Sequence, residues 1–184
     1  MANILVVVDY QNDFVNGSLG FPKAQQLEEG IIKKIEEVGN SGGYIICTMD
    51  THNQDYMKTQ EGNKLPIEHC IVGTHGWNMV ETVKAVADRY MVKYMHKNTF
   101  PSAELLSELR RINALEKTLG DDKPDTIEFC GVVTDICVIS NVVIAKAALP
   151  EAKIIVHSDL CASNNDEMHN MALQVMKSIQ VEVI

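Results

Sequence analysis

The chain alternates short runs of β-branched and aliphatic residues with longer segments whose apolar residues recur at helical spacing. The first run, Ile4 to Val8, is continuously apolar, which is typical of a strand buried on both faces of a sheet. Repeated alternation of strand and helix predicts a parallel sheet covered by helices on both sides. We therefore expect an α/β fold with three layers (αβα), in which a doubly wound, mostly parallel, six-stranded sheet of Rossmann-like topology lies between helices.

Six strands are predicted, at residues 3–9, 44–49, 89–95, 126–132, 153–158 and 181–184. Five helices are predicted, at residues 23–40, 78–87, 102–117, 135–148 and 165–178. Because 184 residues have the size of one ordinary domain, we expect a single domain over residues 1–184.

The charge and the cysteine content narrow the class of partner. The chain has 25 acidic and 16 basic residues, for a net charge of -9. This excess opposes binding to a nucleic acid or an anionic membrane, so we expect a small-molecule ligand. The five cysteines form no C-x-x-C pair, and no apolar N-terminal segment of signal-peptide length is present. Both features predict a cytoplasmic location.

Four chemically active residues follow the ends of predicted strands: Asp9, Asp50, Lys97 and Cys137. In a doubly wound sheet, ligands bind outside the carboxyl ends of the strands. Each residue alone has a structural explanation, as a loop cap, a surface lysine or a buried cysteine. Together on one rim they predict a shared crevice.

Cys137 is the candidate nucleophile, because the apolar run that ends at Val133 leads directly into the helical segment that contains it. In the first turn of a helix, unpaired N–H groups and the macrodipole favour a thiolate over a thiol. Cys47 and Cys130 lie inside apolar runs, where a cysteine is usually a small buried hydrophobe. This contrast favours Cys137 as the reactive cysteine.

Residues 51–77 show no sustained period and form a predicted long loop, a kind of segment that is often functional. Asp50 and His52 stand at its start, His69 stands near its end, and Glu61 lies between them. A carboxylate and two imidazoles suit one divalent transition metal (Zn, Fe or Mn) with positions left open for water or substrate. An isolated Asp-x-His pair is more often a surface turn, so both interpretations stay open.

Several motifs resemble those of the isochorismatase-like cysteine hydrolases. The motifs shared with this superfamily are Asp9-Tyr10-Gln11-Asn12-Asp13-Phe14 (D-x-Q-x-D-F), Lys97, and Gly131-Val132-Val133-Thr134-Asp135-Ile136-Cys137 (G-x-x-T-D-x-C). The motifs similar to those of nicotinamidases are Asp50-Thr51-His52 in a metal loop and His69-Cys70-Ile71-Val72-Gly73-Thr74-His75-Gly76 (H-C-x-x-G-T-x-G). They occur in the family's order, which makes the resemblance more specific for the superfamily than for the substrate.

The resemblance implies a catalytic triad of Asp9, Lys97 and Cys137, in which Asp9 takes the thiol proton and Lys97 holds the carboxylate in place. The thiolate would attack an amide carbonyl and form a thioester. The backbone N–H groups of Val133 and Cys137 would bind the oxyanion. The resemblance also implies a cis peptide bond between Val132 and Val133.

The same resemblance implies one metal ion held by Asp50, His52 and His69, with Glu61 or water, that orients the substrate more than it reacts. The implied substrate is a small amide, nicotinamide first and pyrazinamide as its analogue, and the implied assembly is a homo-oligomer. The residues that would line the substrate pocket are Phe14, Leu65, Phe100 and Val132.

One departure from the nicotinamidase pattern leaves other functions open. Nicotinamidases usually place an aromatic residue shortly before the second metal histidine, whereas this chain has Leu65 there and one apparent insertion. The missing aromatic favours a second possibility, the same triad acting on a small carbamoyl or ureido amide; the Asp-His-His loop opposes it. A third possibility is a non-catalytic small-molecule or redox-sensing module built on Cys137. Asp9 and Lys97 argue against it, because a sensor needs no proton shuttle.

Overall fold

The structure is a computed structural model that describes residues 3–120 and 125–184, and these residues contain six strands. The strands are β1 (Asn3–Val8), β2 (Tyr44–Asp50), β3 (Val92–Lys97), β4 (Thr126–Val132), β5 (Lys153–Ala162) and β6 (Glu182–Val183). They form one sheet in the order β3-β2-β1-β4-β5-β6, and every pair is parallel. The order reverses between β1 and β4, which is where a doubly wound sheet opens a crevice.

Seven α-helices lie in the same described residues. They are α1 (Asn12–Val15), α2 (Pro22–Gln26), α3 (Glu28–Asn40), α4 (Glu81–Ala87), α5 (Ala103–Thr118), α6 (Ile139–Ala148) and α7 (Asp166–Ser178). A 3₁₀ turn at Tyr56–Lys58 and a π-helical turn at Thr134–Val138 complete the helical elements of this part of the chain.

The central strand β1 shows why the sheet is covered on both faces. Its side chains alternate between two apolar cores, and all five from Ile4 to Val8 are fully buried. Ile4, Val6 and Val8 join residues of α5, α6 and α7 in one core. Leu5 and Val7 join residues of α3 and α4 in the other. The expected αβα layering is therefore confirmed, with a sheet that is wholly parallel.

The third strand lies later than predicted, at Val92–Lys97 in place of 89–95. The backbone N–H groups of Arg89 and Tyr90 still bond to carbonyls of α4 and close that helix, so the strand cannot begin there. From Val92 onward the chain pairs with β2, and the pairing ends with Asp50 opposite Lys97. This register places two of the candidate site residues side by side.

Two predicted helices begin differently in the structure. The helix expected at 23–40 is divided at Leu27 into α2 and α3. The helix expected at 78–87 begins only at Glu81, because Met79 pairs with Gln11 in an antiparallel bridge. The bridge ties the end of the long loop to the start of the motif at Asp9.

None of the helices in the described residues is both long and apolar enough to cross a lipid bilayer.

Candidate active site

The candidate site lies where β3, β2, β1 and β4 end next to one another. Lys97 and Asp50 are the last residues of their strands, and Asp9 directly follows β1. Asp9 has a left-handed backbone (φ 48), so the chain turns sharply as it leaves the sheet. Its N–H donates to the Thr48 carbonyl at 3.2 Å, which keeps the turn attached to the neighbouring strand.

The three predicted triad residues converge. The Lys97 Nζ atom lies 2.7 Å from Asp9 Oδ2 and 3.6 Å from Cys137 Sγ. It also lies 3.3 Å from Asp50 Oδ1, which links the triad to the first of the predicted metal ligands. All four side chains are buried. The ammonium group therefore stands between two carboxylates and the thiol, in a region of low dielectric where these charges interact strongly.

Thr48 is a member of this group that the sequence analysis did not identify. Its hydroxyl donates to Asp9 Oδ1 at 2.7 Å, and its side chain is buried. Oδ1 is thereby fixed, and Oδ2 is the carboxylate oxygen nearest Lys97. The sequence did contain a signal for Thr48, which is a polar residue inside an apolar strand, two positions before Asp50. Residues two apart lie on the same face of a strand, so Thr48 and Asp50 could be expected on one face.

The electrostatics correct one expectation about Cys137. Burial raises the pKa of its thiol well above the ordinary value, and the charge of Asp9 raises it further, against the opposing effect of Lys97. The helix-start argument favoured a resting thiolate, whereas burial and the carboxylate of Asp9 both favour the thiol. Burial also raises the pKa of Asp9. The site thus holds a protonated thiol beside a carboxylate suited to accept its proton.

The turn that carries Cys137 follows β4 through a peptide bond between Val132 and Val133 that is cis, as predicted. The carbonyl of Val133 accepts hydrogen bonds from the N–H groups of Ile136 and Val138, both at 3.1 Å. The turn is π-helical, and α6 continues directly from it. Cys137 thus lies in the turn before α6, close to its expected position at a helix start.

Asp50, His52 and His69 also converge, with ligand atoms that all lie within 4.8 Å of one another. Asp50 Oδ2 is 3.0 Å from His52 Nε2 and 3.3 Å from His69 Nε2. Glu61 Oε1 is 3.8 Å from each of these nitrogens, so the fourth predicted ligand borders the same cluster. The three central side chains are buried, which excludes the alternative of a surface turn.

The donor atoms of this cluster fit a divalent transition metal. His69 Nδ1 lies 2.8 Å from the Ile67 carbonyl, which can only accept, so Nδ1 carries a proton and Nε2, which faces Asp50, is the nitrogen that a metal would take. Burial would raise the pKa of Asp50, but hydrogen bonds from His52 and His69 and the charge of Lys97 hold it below its ordinary value. The cluster offers an ionised carboxylate and imidazole nitrogens that face one another, a donor set that suits Zn, Fe or Mn.

Gln11 holds the strand end that supplies Asp50. Its Oε1 accepts from the Asp50 N–H at 2.7 Å, and its Nε2 donates to the Asp50 carbonyl at 2.9 Å. The same Nε2 also donates to the Trp77 carbonyl at 2.7 Å. One buried side chain therefore joins the end of β2 to the end of the long loop.

Asp13 holds the part of the loop that supplies His69. Its Oδ2 accepts from the Cys70 N–H at 2.7 Å, and an added Cβ at Gly76 would overlap the same carboxylate. The Cys70 carbonyl in turn accepts from the His52 N–H at 2.9 Å. Gln11 and Asp13 are motif residues to which the sequence analysis gave no role. Their places in the D-x-Q-x-D-F motif, just after a buried strand, were the available signal.

A cavity of about 230 Å³ opens onto Cys137 of the triad and onto Asp50, His69 and Glu61 of the metal cluster. Among the predicted pocket residues, Phe14, Leu65 and Phe100 line it, whereas Val132 does not. Val132 is fully buried in the core because strand alternation turns its side chain away; its neighbour Val133 lines the cavity in its place. The remaining lining residues are Leu19, Phe21, Asp50, Glu61, His69, Asp135, Ile136, Cys137, Asn164 and Asn165.

Comparison with known proteins agrees with this geometry. The family model described as the isochorismatase domain matches residues 3–184. A Bacillus subtilis protein described as an uncharacterized isochorismatase family protein, PncA, is 30% identical over 184 residues, covering 94% of this chain and 93% of its own. The nicotinamidase of Saccharomyces cerevisiae is 23% identical over 212 residues, covering 98% of each chain.

Solved structures give the same result. A crystal structure of nicotinamidase PncA from Bacillus subtilis has a TM-score of 0.82 at 27% identity, covering 100% of this chain and 99% of its own. The pyrazinamidase of Pyrococcus horikoshii, solved in complex with zinc, has a TM-score of 0.76 at 21% identity, covering 100% of this chain and 99% of its own. The latter likeness concerns the fold alone.

Proposed function

Since this chain belongs to the isochorismatase family and is a hydrolase of amide C–N bonds, we propose that it deamidates a small neutral aromatic amide, nicotinamide above all. The observation that carries the proposal is the Lys97 ammonium, 2.7 Å from Asp9 and 3.6 Å from the sulfur of Cys137, a residue that lines a cavity with phenylalanine walls. The relatives named nicotinamidase support the same class of substrate.

The first half of the reaction forms a thioester. Asp9 removes the thiol proton as Cys137 Sγ attacks the amide carbonyl carbon, and Lys97 stabilises the carboxylate while the proton moves. The negative charge that develops on the carbonyl oxygen is bound by the N–H groups of Val133 and Cys137. The protonated Asp9 then gives its proton to the departing nitrogen, and ammonia leaves as the C–N bond breaks.

The second half restores the enzyme. Asp9, ionised again, accepts a proton from a water molecule as the water oxygen attacks the thioester carbonyl. The C–S bond breaks, the proton returns to the Cys137 sulfur, and the acid product leaves. Thr48 keeps one oxygen of Asp9 occupied throughout, so that the other oxygen carries both proton transfers.

Asp50, His52 and His69, bordered by Glu61, would hold one divalent metal ion. When bound, the ion supplies a Lewis-acidic position for a ring nitrogen or an ordered water. Asp50 also contacts Lys97, so the same carboxylate borders both halves of the site.

The charge of the cavity favours a neutral amide over one that carries a carboxylate. The acidic side chains of Asp50, Glu61 and Asp135 line the cavity, and the lining formed by the described residues includes no lysine or arginine. A carboxylate-bearing carbamoyl or ureido substrate would find no lysine or arginine on this lining to pair with it, because the ammonium of Lys97 is already paired with Asp9 and Asp50. The phenylalanine rings, by contrast, can pack against a pyridine or pyrazine ring.

An assay of ammonia release over a panel of small amides tests the proposal. We expect nicotinamide and pyrazinamide to be hydrolysed with the highest kcat/KM, and carboxylate-bearing ureido amides at least about 10²-fold more slowly, as for a substrate that leaves buried charges unpaired. A preference for a ureido amide would assign the second function instead. No ammonia from any amide, together with oxidation of Cys137 at stoichiometric peroxide, would favour a redox sensor.

A further inference from the structure

Asn141 joins the turn that carries the nucleophile to the loop that follows Lys97. It lies on α6, four residues after Cys137, and its side chain is fully buried. Its Nδ2 donates to the Cys137 carbonyl at 2.8 Å and to the Phe100 carbonyl at 3.3 Å. Its Oδ1 accepts from the Ser102 N–H at 2.9 Å.

A buried asparagine inside a helix requires an explanation. Asparagine has a low helix propensity, because its amide competes with the backbone for hydrogen bonds, and burial of an unpaired amide is costly. Here both the amide nitrogen and the amide oxygen have partners, and each partner is a backbone group. All three partners lie outside α6, one in the Thr134–Val138 turn and two in the segment between Lys97 and α5. The main role of the side chain is therefore to connect the nucleophile turn to the segment after Lys97, and not to stabilise α6.

This connection is specific. Among the side-chain hydrogen bonds of the described residues, those of Asn141 alone join the Thr134–Val138 turn to residues 98–102. The first of these segments carries the sulfur, and the second follows the triad lysine and carries Phe100, a wall of the cavity.

We propose that Asn141 is a positioning residue that sets the nucleophile turn relative to Lys97 and the Phe100 wall. This inference rests on the proposed function. Asn141 acts through the backbone of Cys137 and Phe100 and does not itself line the cavity. The bond to the Cys137 carbonyl governs the reach of the sulfur to Lys97 and Asp9. The bonds to Phe100 and Ser102 govern the wall that contacts the substrate ring.

Two substitutions separate the effect of the bond to Cys137 from that of the bonds to Phe100 and Ser102. Asn141→Ser can keep a bond to the Cys137 carbonyl, because a serine hydroxyl reaches the carbonyl four residues earlier in a helix, but it is too short to reach the loop. We expect KM for nicotinamide to rise about 5- to 10-fold with little change in kcat, as for lost ground-state binding. Asn141→Asp keeps an acceptor for Ser102 and loses both donated bonds. We expect kcat to fall about 10- to 100-fold, as for a misplaced reacting group.

The control is Val142→Ala, at the next position of the same helix, where the side chain is equally buried in the core. It should lower stability while changing kcat and KM by less than about twofold, because it leaves all three hydrogen bonds in place. If Val142→Ala loses as much stability and as much activity as the Asn141 variants, the role of Asn141 is merely structural.

A readout that needs no turnover distinguishes failure of this inference from failure of the proposed function. The rate of Cys137 alkylation by iodoacetamide, followed by mass spectrometry against pH, reports the surroundings of the sulfur alone. We expect the profile of Asn141→Asp to differ from that of the parent, and that of Asn141→Ser to match it. Parent-like profiles and kinetics in both variants would overturn the inference. If the aspartate variant does not fold, Asn141→Ala takes its place, with the same expected loss of kcat.

Discussion

The triad and the metal cluster border the same cavity, but they are assembled in different ways. Asp9 and Lys97 stand at the ends of β1 and β3, the two strands that flank β2, and the pairing of β2 with β3 places Lys97 directly opposite Asp50. His52 and His69 come from an irregular segment, and they meet only because that segment folds back on itself. The sheet thus positions the reacting groups, whereas the loop positions the ligand atoms.

The interactions that hold the two clusters differ in the same way. Lys97 is surrounded by carboxylates and the thiol, so the triad is held by charge at the edge of a rigid core. The loop is held by hydrogen bonds of its backbone, both within itself, as between His52 and Cys70, and with the side chains of Gln11, which donates to Trp77, and Asp13, which accepts from Cys70. Each cluster should therefore be separable from the other by substitution, although Asp50 belongs to both.

The largest expected effect is that of Cys137→Ala, which removes the proposed nucleophile and should leave the fold intact. Turnover should fall by at least about 10⁴-fold, as in other enzymes that lose a covalent nucleophile. The metal content should match that of the parent, and the free energy of unfolding should fall by no more than about 1 kcal/mol, because the buried sulfur packs in the core but holds no part of the loop.

Cys47→Ala and Cys130→Ala are the matched controls for that substitution. Both cysteines are fully buried within strands, so each should lower the free energy of unfolding by about 1 kcal/mol while activity is retained. Parent-like turnover in Cys137→Ala, or faster alkylation of Cys70 or Cys161 than of Cys137, would assign the nucleophile elsewhere.

The next effect concerns the loop. The double variant His52→Ala/His69→Ala should lose stoichiometric metal and at least about 10²-fold in nicotinamide turnover, because two of three ligands are gone. Amide hydrogen exchange in residues 51–77 should accelerate in this variant and in the chelated parent, while alkylation of Cys137 continues. Elemental analysis of untagged protein supplies the metal content. If the parent contains no metal, or if the variant keeps the turnover of the parent, the protein is an amidase that works without a metal.

The contrast between strand ends and loop also explains how much of the site the sequence could predict. Strand-end positions could be predicted because β-branched runs mark the strands and parallel strands share one carboxyl edge, so Asp9 and Lys97 required no family knowledge to be placed on one rim. The approach of His69 to His52 has no periodic signal and was expected only from resemblance. Thr48 and Asn141 were missed because a single polar residue in an apolar element shows its partners only in three dimensions.

A smaller effect is expected from Asp13→Ala, which frees the Cys70 N–H next to His69 without removing a ligand. Metal affinity should fall about 10- to 100-fold, the usual result of removing a group that supports a metal ligand. The alkylation rate of Cys137 should stay at the parent value, because Asp13 has no contact with the triad among the interactions described. Asp13→Asn, which keeps an acceptor oxygen, is the control and should retain most of the affinity. Slower alkylation in the alanine variant would show that the loop supports the triad as well.

The smallest expected effect concerns Thr48, which touches the triad and not the loop. Thr48→Val keeps the shape of the side chain and removes the hydroxyl that donates to Asp9 Oδ1, so the carboxylate can rotate away from the orientation that receives the thiol proton. We expect kcat to fall about 10-fold, the low end of what proton transfer by a positioned group contributes. Metal content and loop exchange should not change. Thr48→Ser restores the donor and should recover the parent kcat. An equal loss in the serine variant would point to packing of the missing methyl group, and a loss of metal in the valine variant would show that the two clusters are coupled through the end of β2.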